Sequence, residues 1–292
     1  MQLNRSWRRA AWVISLVAIA LLVSACTAGP GSTAAGDREG SPASGAEGEG
    51  LLGEIKTAGA IRVANTQANP PFSFLDESND VVGYDVDVAN EIARRLGIRE
   101  VEFVRGTFQT FIAGLETDKW DAVIAGLTPT DERRQQIDFT CPYQVNGVSI
   151  FVNQSNTTIS GQADLQGQRI AVSAGSTQEQ EAQRIPGARV LTYETATLAL
   201  SDVSFGRADA YLGSRAVGSY LAEENDLAVK ALPGLLNSEA NAIAVPKGET
   251  ALMAAMNEAL SAMVSDGTLS AISARWFGGL DMAEELANLA DC

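Results

Sequence analysis

Histidine is missing from all 292 residues. Its absence excludes Ser-His-Asp and Cys-His nucleophile systems, and every metal site that needs an imidazole. Cysteine is scarce: Cys26, Cys141 and Cys292 are all there is. A disulfide-rich scaffold or a multi-cysteine metal site is therefore excluded as well. Basic residues are few, 21 Lys and Arg against 36 Asp and Glu, for a net charge of −15. Residues 1–25 hold three arginines and no acid, so the remainder carries −18. A balance this acidic argues against nucleic acid as a partner. Long hydrophobic runs are lacking except Ala10 to Val23, which is too short for a comfortable transmembrane helix.

That one run has the setting of an export signal. Arg5, Arg8 and Arg9 precede it, and Val23-Ser24-Ala25-Cys26 ends it with the look of a lipobox. Cleavage before Cys26 would let its thiol carry diacylglycerol and tether the chain to a bilayer. The alternative is an ordinary secretory signal in which Cys26 is incidental. Thr27 to Gly50 is mostly Gly, Ala, Ser, Pro and Glu, with almost no large apolar side chain. Such a segment cannot repay its ordering entropy and reads as a flexible leash, with a mean reach of roughly 25–30 Å. If Cys26 is acylated, Cys141 and Cys292 remain, in an oxidising compartment where they can pair.

The remaining chain alternates strands and amphipathic helices, an α/β pattern suggesting largely parallel sheets. Strands are expected at Ile61–Ala64, Ala122–Ala125, Arg169–Val172 and Ala210–Leu212. From Asp85 to Leu96, the apolar residues Val86, Ala89, Ile92, Ala93 and Leu96 mark one buried helix face, with Gly97 as its stop. Further helices are expected from Gln109 to Leu115 and from Glu249 to Met263.

The most informative stretch is Trp120 to Tyr143. A buried strand runs into Gly126-Leu127-Thr128-Pro129-Thr130, and a helix opens at Asp131 and Glu132 with Arg133 in its first turn. Thr130 suits the N-cap. Backbone donors, two Thr hydroxyls and a guanidinium then meet at one helix N-terminus, a ready site for a carboxylate. The plain alternative is a strand-loop-helix connection whose Arg faces solvent.

The wording of this stretch, G-x-T-x-T-x-E-R and then I-D-F-T-x-P-Y, resembles the extracellular solute-binding proteins of family 3, the polar amino-acid receptors of ABC importers. Five further segments match in order: Ile61 to Ala64 leading to Pro70 to Phe74, Gly83 to Gly97, Gly206 to Ala210, Ala244 to Gly248, and Trp276 to Gly278. The resemblance implies an α/β, two-lobed periplasmic-binding-protein-like fold of type II, with a ligand cleft between the lobes and a two-strand hinge. Residues 1–25 would be the lipoprotein signal and 26–50 the lipidated Cys and linker. Lobe 1 would take 51–143 and, on the return, 242–292 with the tail. Residues 144–241 would hold the hinge strands and lobe 2, the hinge lying near Gln144–Gly147 and Glu239–Ala242. Arg133 would clamp the ligand's α-carboxylate in a two-pronged salt bridge, a geometry Lys cannot offer. Thr128 and, from lobe 2, Ser176 and Thr177 would serve the same carboxylate. The Gly126 carbonyl would accept from the α-ammonium. Phe108 would stack on the ligand's aliphatic part, unless it is a core residue beside Phe103 and Phe111.

Three positions depart from the family pattern. Asn69 stands where many members carry an aromatic, and Thr66 where receptors for Lys, Arg and Gln carry an Asp. Ser214 stands where the family places the Asp for the α-ammonium. A buried ammonium needs a partner. Glu239 or Glu194 might supply it, the ligand might lack a free primary ammonium, as a compatible solute or an opine does, or Arg215 might select a second carboxylate. Arg215 is otherwise a surface helix residue.

The resemblance thus implies a membrane-anchored receptor on the extracytoplasmic face of a bacterial cell, binding an acidic or polar amino acid by lobe closure. Its partners would be the ligand, an ABC permease and, through acylated Cys26, the bilayer. A monomer with no cofactor and no metal is expected. A sensor docking on a membrane kinase is the alternative. A cyclohexadienyl dehydratase-like enzyme is more remote, because the matched pocket positions (Thr, Ser, Asn, Arg, Phe) offer no general acid.

Overall fold

A computed structural model of the chain describes residues 50–277 and 280–287. The expected signal, Cys26, most of the leash and Cys292 lie outside the described residues, as does Gly278 of the last matched segment. No helix among the described residues is long and apolar enough to cross a membrane.

The strands in chain order are β1 (Ala60–Asn65), β2 (Ala68–Asn69), β3 (Ser73–Leu75), β4 (Val81–Val82), β5 (Glu100–Arg105), β6 (Ala122–Leu127), β7 (Ile137–Asn153), β8 (Arg169–Ser173), β9 (Arg189–Tyr193), β10 (Ala210–Ser214), β11 (Val229–Ala231) and β12 (Asn237–Pro246). The helices are α1 (Gly50–Ala58), α2 (Tyr84–Leu96), α3 (Phe111–Glu116), α4 (Asp131–Arg134), α5 (Thr177–Gln183), α6 (Ala196–Ser204), α7 (Arg215–Glu224), α8 (Thr250–Ser265), α9 (Thr268–Phe277) and α10 (Met282–Ala287). Strands β2, β3 and β4 form a small separate sheet.

The main sheet runs β5-β1-β6-β12-β7-β10-β8-β9, with β11 added to β7. Its two ends are parallel: β1 with β5 and β6 at one, and β8 with β9 and β10 at the other. Its centre is antiparallel, because β12 pairs with both β6 and β7, and β7 with β10. The expectation of largely parallel sheets therefore holds at the ends and fails in the middle. The reason is β7. Its 17 residues extend about 55 Å at strand rise, long enough to serve both ends. Gln144 to Gly147 of β7 lie opposite Ser238 to Asn241 of β12, so this antiparallel ribbon joins the two halves. The register slips just beyond it, between Asn241 and Ala242 and again before Ala244.

Each half buries its own apolar face. Phe111, Leu115, Trp120, Val123 and Leu127 cluster in the first half, and Ile150, Leu165, Ile170, Val172 and Leu212 in the second. Helix α2 buries Val86, Val88, Ala89, Ile92 and Ala93 on one side. It ends at Gly97, whose φ of 75° is the left-handed stop a glycine adopts without Cβ strain. Helix α8 likewise buries Leu252, Met256, Ala259 and Met263.

Candidate functional site

The ends of β6, β7, β10 and β12 and the N-termini of α4, α5 and α7 converge on one cavity between the halves. It is lined by Asn69, Phe72, Phe108, Ala125, Gly126, Thr128, Arg133, Gln144, Asn146, Ser173, Ser176, Thr177, Gln178, Tyr211, Gly213, Ser214, Glu239 and Asn241. Arg133 and Glu239 are the charged groups of this lining.

Local chemistry explains how Arg133 arrives there. Thr130 is the N-cap of α4, its hydroxyl accepting from the Arg133 N–H at 3.2 Å. The cap fixes the first turn, and the guanidinium turns inward to 7% exposure. Its Nη1 donates to the Thr128 carbonyl at 2.7 Å, and its Nη2 to the Gly175 carbonyl at 2.9 Å. One side chain thus ties the β6–α4 loop of the first half to the β8–α5 loop of the second. Burial lowers its pKa from the usual arginine value, while Glu239 and Glu132 pull it back up.

Across the cavity, Ser176 caps α5 by accepting from the Glu179 N–H at 3.1 Å, and donates to the Ser173 carbonyl at 2.6 Å. Thr177, the first residue of α5, lines the cavity beside it. Ser214 caps α7, accepting from the Val217 N–H at 3.4 Å. Gly126 has φ 67°, and a Cβ there would lie 2.8 Å from Gln144 Nε2, so the amide can approach only because no side chain intervenes. The Gly126 N–H donates to the Tyr143 hydroxyl at 3.0 Å, which donates to the buried Asp85 at 2.7 Å.

Glu239 sits at the centre of the polar lining. It accepts from Thr128 Oγ1 at 2.9 Å, from Thr177 Oγ1 at 2.7 Å and from Gln178 Nε2 at 3.1 Å. Asn241 Nδ2 donates to Thr128 Oγ1 at 2.9 Å, and Gln144 Nε2 to Asn241 Oδ1 at 3.2 Å. The two hydroxyls assigned to a ligand carboxylate are therefore engaged with a carboxylate of the protein itself.

Of the residues expected in the cleft, Arg133, Thr128, Gly126, Phe108, Thr177, Ser176, Asn69 and Ser214 come together around this cavity. Thr66 does not, and that expectation is corrected. It turns to Ser73 Oγ at 3.4 Å and lines a neighbouring cavity with Arg105 and Glu194. Glu194 lies 4.0 Å from Arg105 there, so Glu239 is the acid that reaches the main cavity. Arg215 is neither a free surface residue nor a cleft residue. Its guanidinium donates to Ser149 Oγ at 2.7 Å and to the carbonyls of Leu232 and Gly234, clamping the β11–β12 connection to β7. Phe108 has both roles weighed for it: it lines the cavity and meets Phe111 edge-on at 5.6 Å.

Gln144, Asn146, Gln178 and Asn241 escaped sequence reasoning as site residues. A signal was available for two of them. Gln144 and Asn241 are the polar interruptions of otherwise apolar strands, and both are almost fully buried.

The model of the bacterial extracellular solute-binding proteins, family 3, matches residues 61–279. The chain belongs to this family. Its relatives are amino-acid binding proteins of ABC transporters. The L-cystine-binding protein TcyJ of Escherichia coli is 32% identical over 79% of this chain and 87% of that protein. The ABC transporter arginine-binding protein 1 of Escherichia coli is 32% identical over 71% and 86%. Among solved structures, an ancestral arginine-binding protein bound to arginine shares 38% identity at a TM-score of 0.72, covering 75% of this chain and 99% of that one. The ancestral amino acid-binding protein AncCDT-1, a precursor of cyclohexadienyl dehydratase, shares 34% at 0.70, covering 78% and 99%. The two-lobed α/β architecture is thus the type II periplasmic-binding fold, and family 3 proteins work outside the cytoplasm as importer receptors.

Proposed function

We propose that this family 3 protein is the receptor of an ABC importer for a small zwitterionic amino acid, held by closure of the lobes and not chemically changed. The observation that carries this reading is the cavity's charged lining: one guanidinium, Arg133, and one carboxylate, Glu239, among hydroxyls and amides. A ligand with one negative and one positive group is matched by that pair. Arg133 takes the carboxylate with the donors it does not give to Thr128 and Gly175. Groups from both halves line the cavity, so a ligand touching both favours the closed arrangement, which is how binding shifts such an equilibrium. The protein acts as a monomer, tethered by acylated Cys26 on the extracytoplasmic face of the cell membrane.

The kinship with AncCDT-1 gives a second reading, an enzyme, its observation. The sequence suggested no acid in the pocket, yet Glu239 lies there. A general acid must hold a proton to give, whereas the Glu239 carboxylate accepts from three donors. This favours binding over catalysis.

The test is thermal stabilisation of the purified protein against all amino acids, ectoine, betaines and opines. A ligand specific to the folded form raises the melting temperature as its concentration exceeds its dissociation constant. Stabilisation by one small set of amino acids is the expected result. Stabilisation only by non-amino-acid solutes would refute the amino-acid reading, and turnover of prephenate or arogenate would refute the non-enzymatic one. Cys26→Ala should release the protein from membranes, and its retention there would refute the anchor.

A further inference from the structure

The hydrogen bonds around Glu239 have a direction, and it propagates. A carboxylate oxygen can only accept, so Thr128 commits its one hydroxyl proton to Glu239. The Thr128 oxygen is then left to accept, and it does so from Asn241 Nδ2. That turns Asn241 Oδ1 toward Gln144, which donates to it through Nε2. The last atom in the sequence is Gln144 Oε1. It is buried on a residue that lines the cavity, and it has no hydrogen-bond partner among the described residues. A buried carbonyl oxygen without a donor is costly. A nitrogen of the ligand can relieve that cost, and an oxygen acceptor cannot.

We propose that Glu239 and Gln144 determine the specificity of the cleft by selecting a ligand that presents a nitrogen donor to the hinge strands. Ser214, on the opposite strand end, keeps its hydroxyl for capping α7. The proposal rests on the amino-acid receptor reading and narrows it. Glu239 already balances the charge of Arg133, so the second carboxylate of an acidic ligand meets no cation in the lining. The ligand class is therefore a polar amino acid with no net negative charge. The revision concerns the acidic amino acids, which the sequence had left equal to the neutral ones.

The chain of bonds also predicts what happens when its source changes. In Glu239→Gln, the new amide can donate to Thr128. Thr128 is then free to donate to Asn241, and each amide beyond can turn over. Gln144 would present Nε2 to the cavity in place of Oε1. The variant should thus lose discrimination as well as affinity.

The experiment is calorimetric titration of the full-length protein. The probes are the amino acid that stabilises the wild type most and its 2-hydroxy-acid analogue, in which a hydroxyl replaces the ammonium. The wild type should prefer the amino acid at least a hundredfold. Glu239→Gln and Gln144→Met should each weaken amino-acid binding at least tenfold and narrow that preference. The double variant should be no weaker than the worse single one, because both act on one chain of bonds. Glu239→Asp, which keeps an acceptor, should retain the preference. Unchanged or tighter binding by Glu239→Gln would overturn the proposal and make Glu239 a competitor for the ligand's carboxylate site. Additive losses would overturn it as well. The unliganded melting temperature of each variant identifies any that fails to fold, and Gln144→Met then decides alone by its preference. A wild type that no amino acid stabilises overturns both the receptor reading and this one, whereas a wild type that binds while both variants behave like it overturns only this one.

Discussion

Two side chains show how differently buried charge is handled in this molecule. Arg133 is buried with its charge answered: two backbone carbonyls accept from it, and Glu239 lies close enough to raise its pKa. Arg133→Ala should therefore raise the dissociation constant of the bound amino acid a hundredfold or more, since a buried charge pair that loses one partner typically costs about 2–5 kcal/mol. Titration calorimetry reads this directly, and an affinity within threefold of wild type would remove Arg133 from the site. Asp85 is buried with its charge poorly answered. Tyr143 donates to one oxygen at 2.7 Å, the other has no hydrogen-bond partner among the described residues, and burial lifts the carboxyl to about 7. In the unfolded chain the same group titrates near 3.9. Between those values the folded protein holds a proton that the unfolded chain has released. Stability should thus fall as pH rises from about 4 to 7, with a contribution on the order of a few kcal/mol. Asp85→Asn keeps an acceptor for Tyr143 and abolishes the titration. It should melt higher than wild type at pH 8, and the gap should close toward pH 4 in a melting-temperature series. A gap independent of pH would refute this account. Arg133 could be read from the sequence because its neighbours spell a capped helix start. Glu239 was one of two candidate acids, and only the pairing of β12 with β7 separates it from Glu194.

Elements were legible where their signal is local. The α2 face repeats at helical spacing and stops at a glycine, and the observed helix departs from expectation by one residue at its start. The expected helix from Gln109 starts instead at Phe111, because Thr107 and Thr110 bond each other in a turn: the Thr107 N–H donates to Thr110 Oγ1 at 3.0 Å. Strand β7 was not legible at its true length. Pro142, Gln144, Asn146 and Gly147 interrupt its apolar pattern, since this stretch faces the cleft and the hinge rather than a core. Packing between elements is equally hidden from a single chain pattern. A Cβ on Gly114 of α3 would fall 2.0 Å from the Trp120 ring, whereas one on Gly97 would meet nothing within 4 Å. Propensity alone says that alanine should help a helix at Gly114. The contact says the opposite. Gly114→Ala must push the buried Trp120 away from the Phe111 carbonyl to which its indole N–H donates at 3.0 Å. It should cost about 1–3 kcal/mol or more, against about 1 kcal/mol for Gly97→Ala, where only the left-handed backbone objects. Urea denaturation of the two variants compares them. A Gly114→Ala protein as stable as Gly97→Ala would mean that α3 is free to shift off Trp120.

At the scale of the whole molecule, the chain's path decides which parts are held by more than packing. Cys141 on β7 is disulfide-bonded, and its partner lies outside the described residues. Cys26 and Cys292 are the two other cysteines in the sequence. Helix α10 packs on β7, and its buried Met282 donates its N–H to Ser273 Oγ at 3.1 Å. From the end of α10 at Ala287, five residues reach Cys292, a span of at most about 18 Å. Cys26 lies far from Cys141 along the chain, and a thioether to diacylglycerol would leave it no thiol to oxidise. We therefore expect the Cys141–Cys292 bond, which ties the tail to the strand that joins both halves. A loop of this size would stabilise by about 2–5 kcal/mol on chain-entropy grounds. One experiment addresses the tail and the anchor together: peptide mapping by mass spectrometry of membrane-derived protein, digested without reductant. A linked Cys141–Cys292 peptide with an acylated N-terminal Cys26 is the expected result. A Cys26–Cys141 peptide would refute both the bond and the lipid anchor, since the same sulfur cannot serve in both. The melting temperature of Cys141→Ser should fall in either case, so the identity of the linked peptide decides between them.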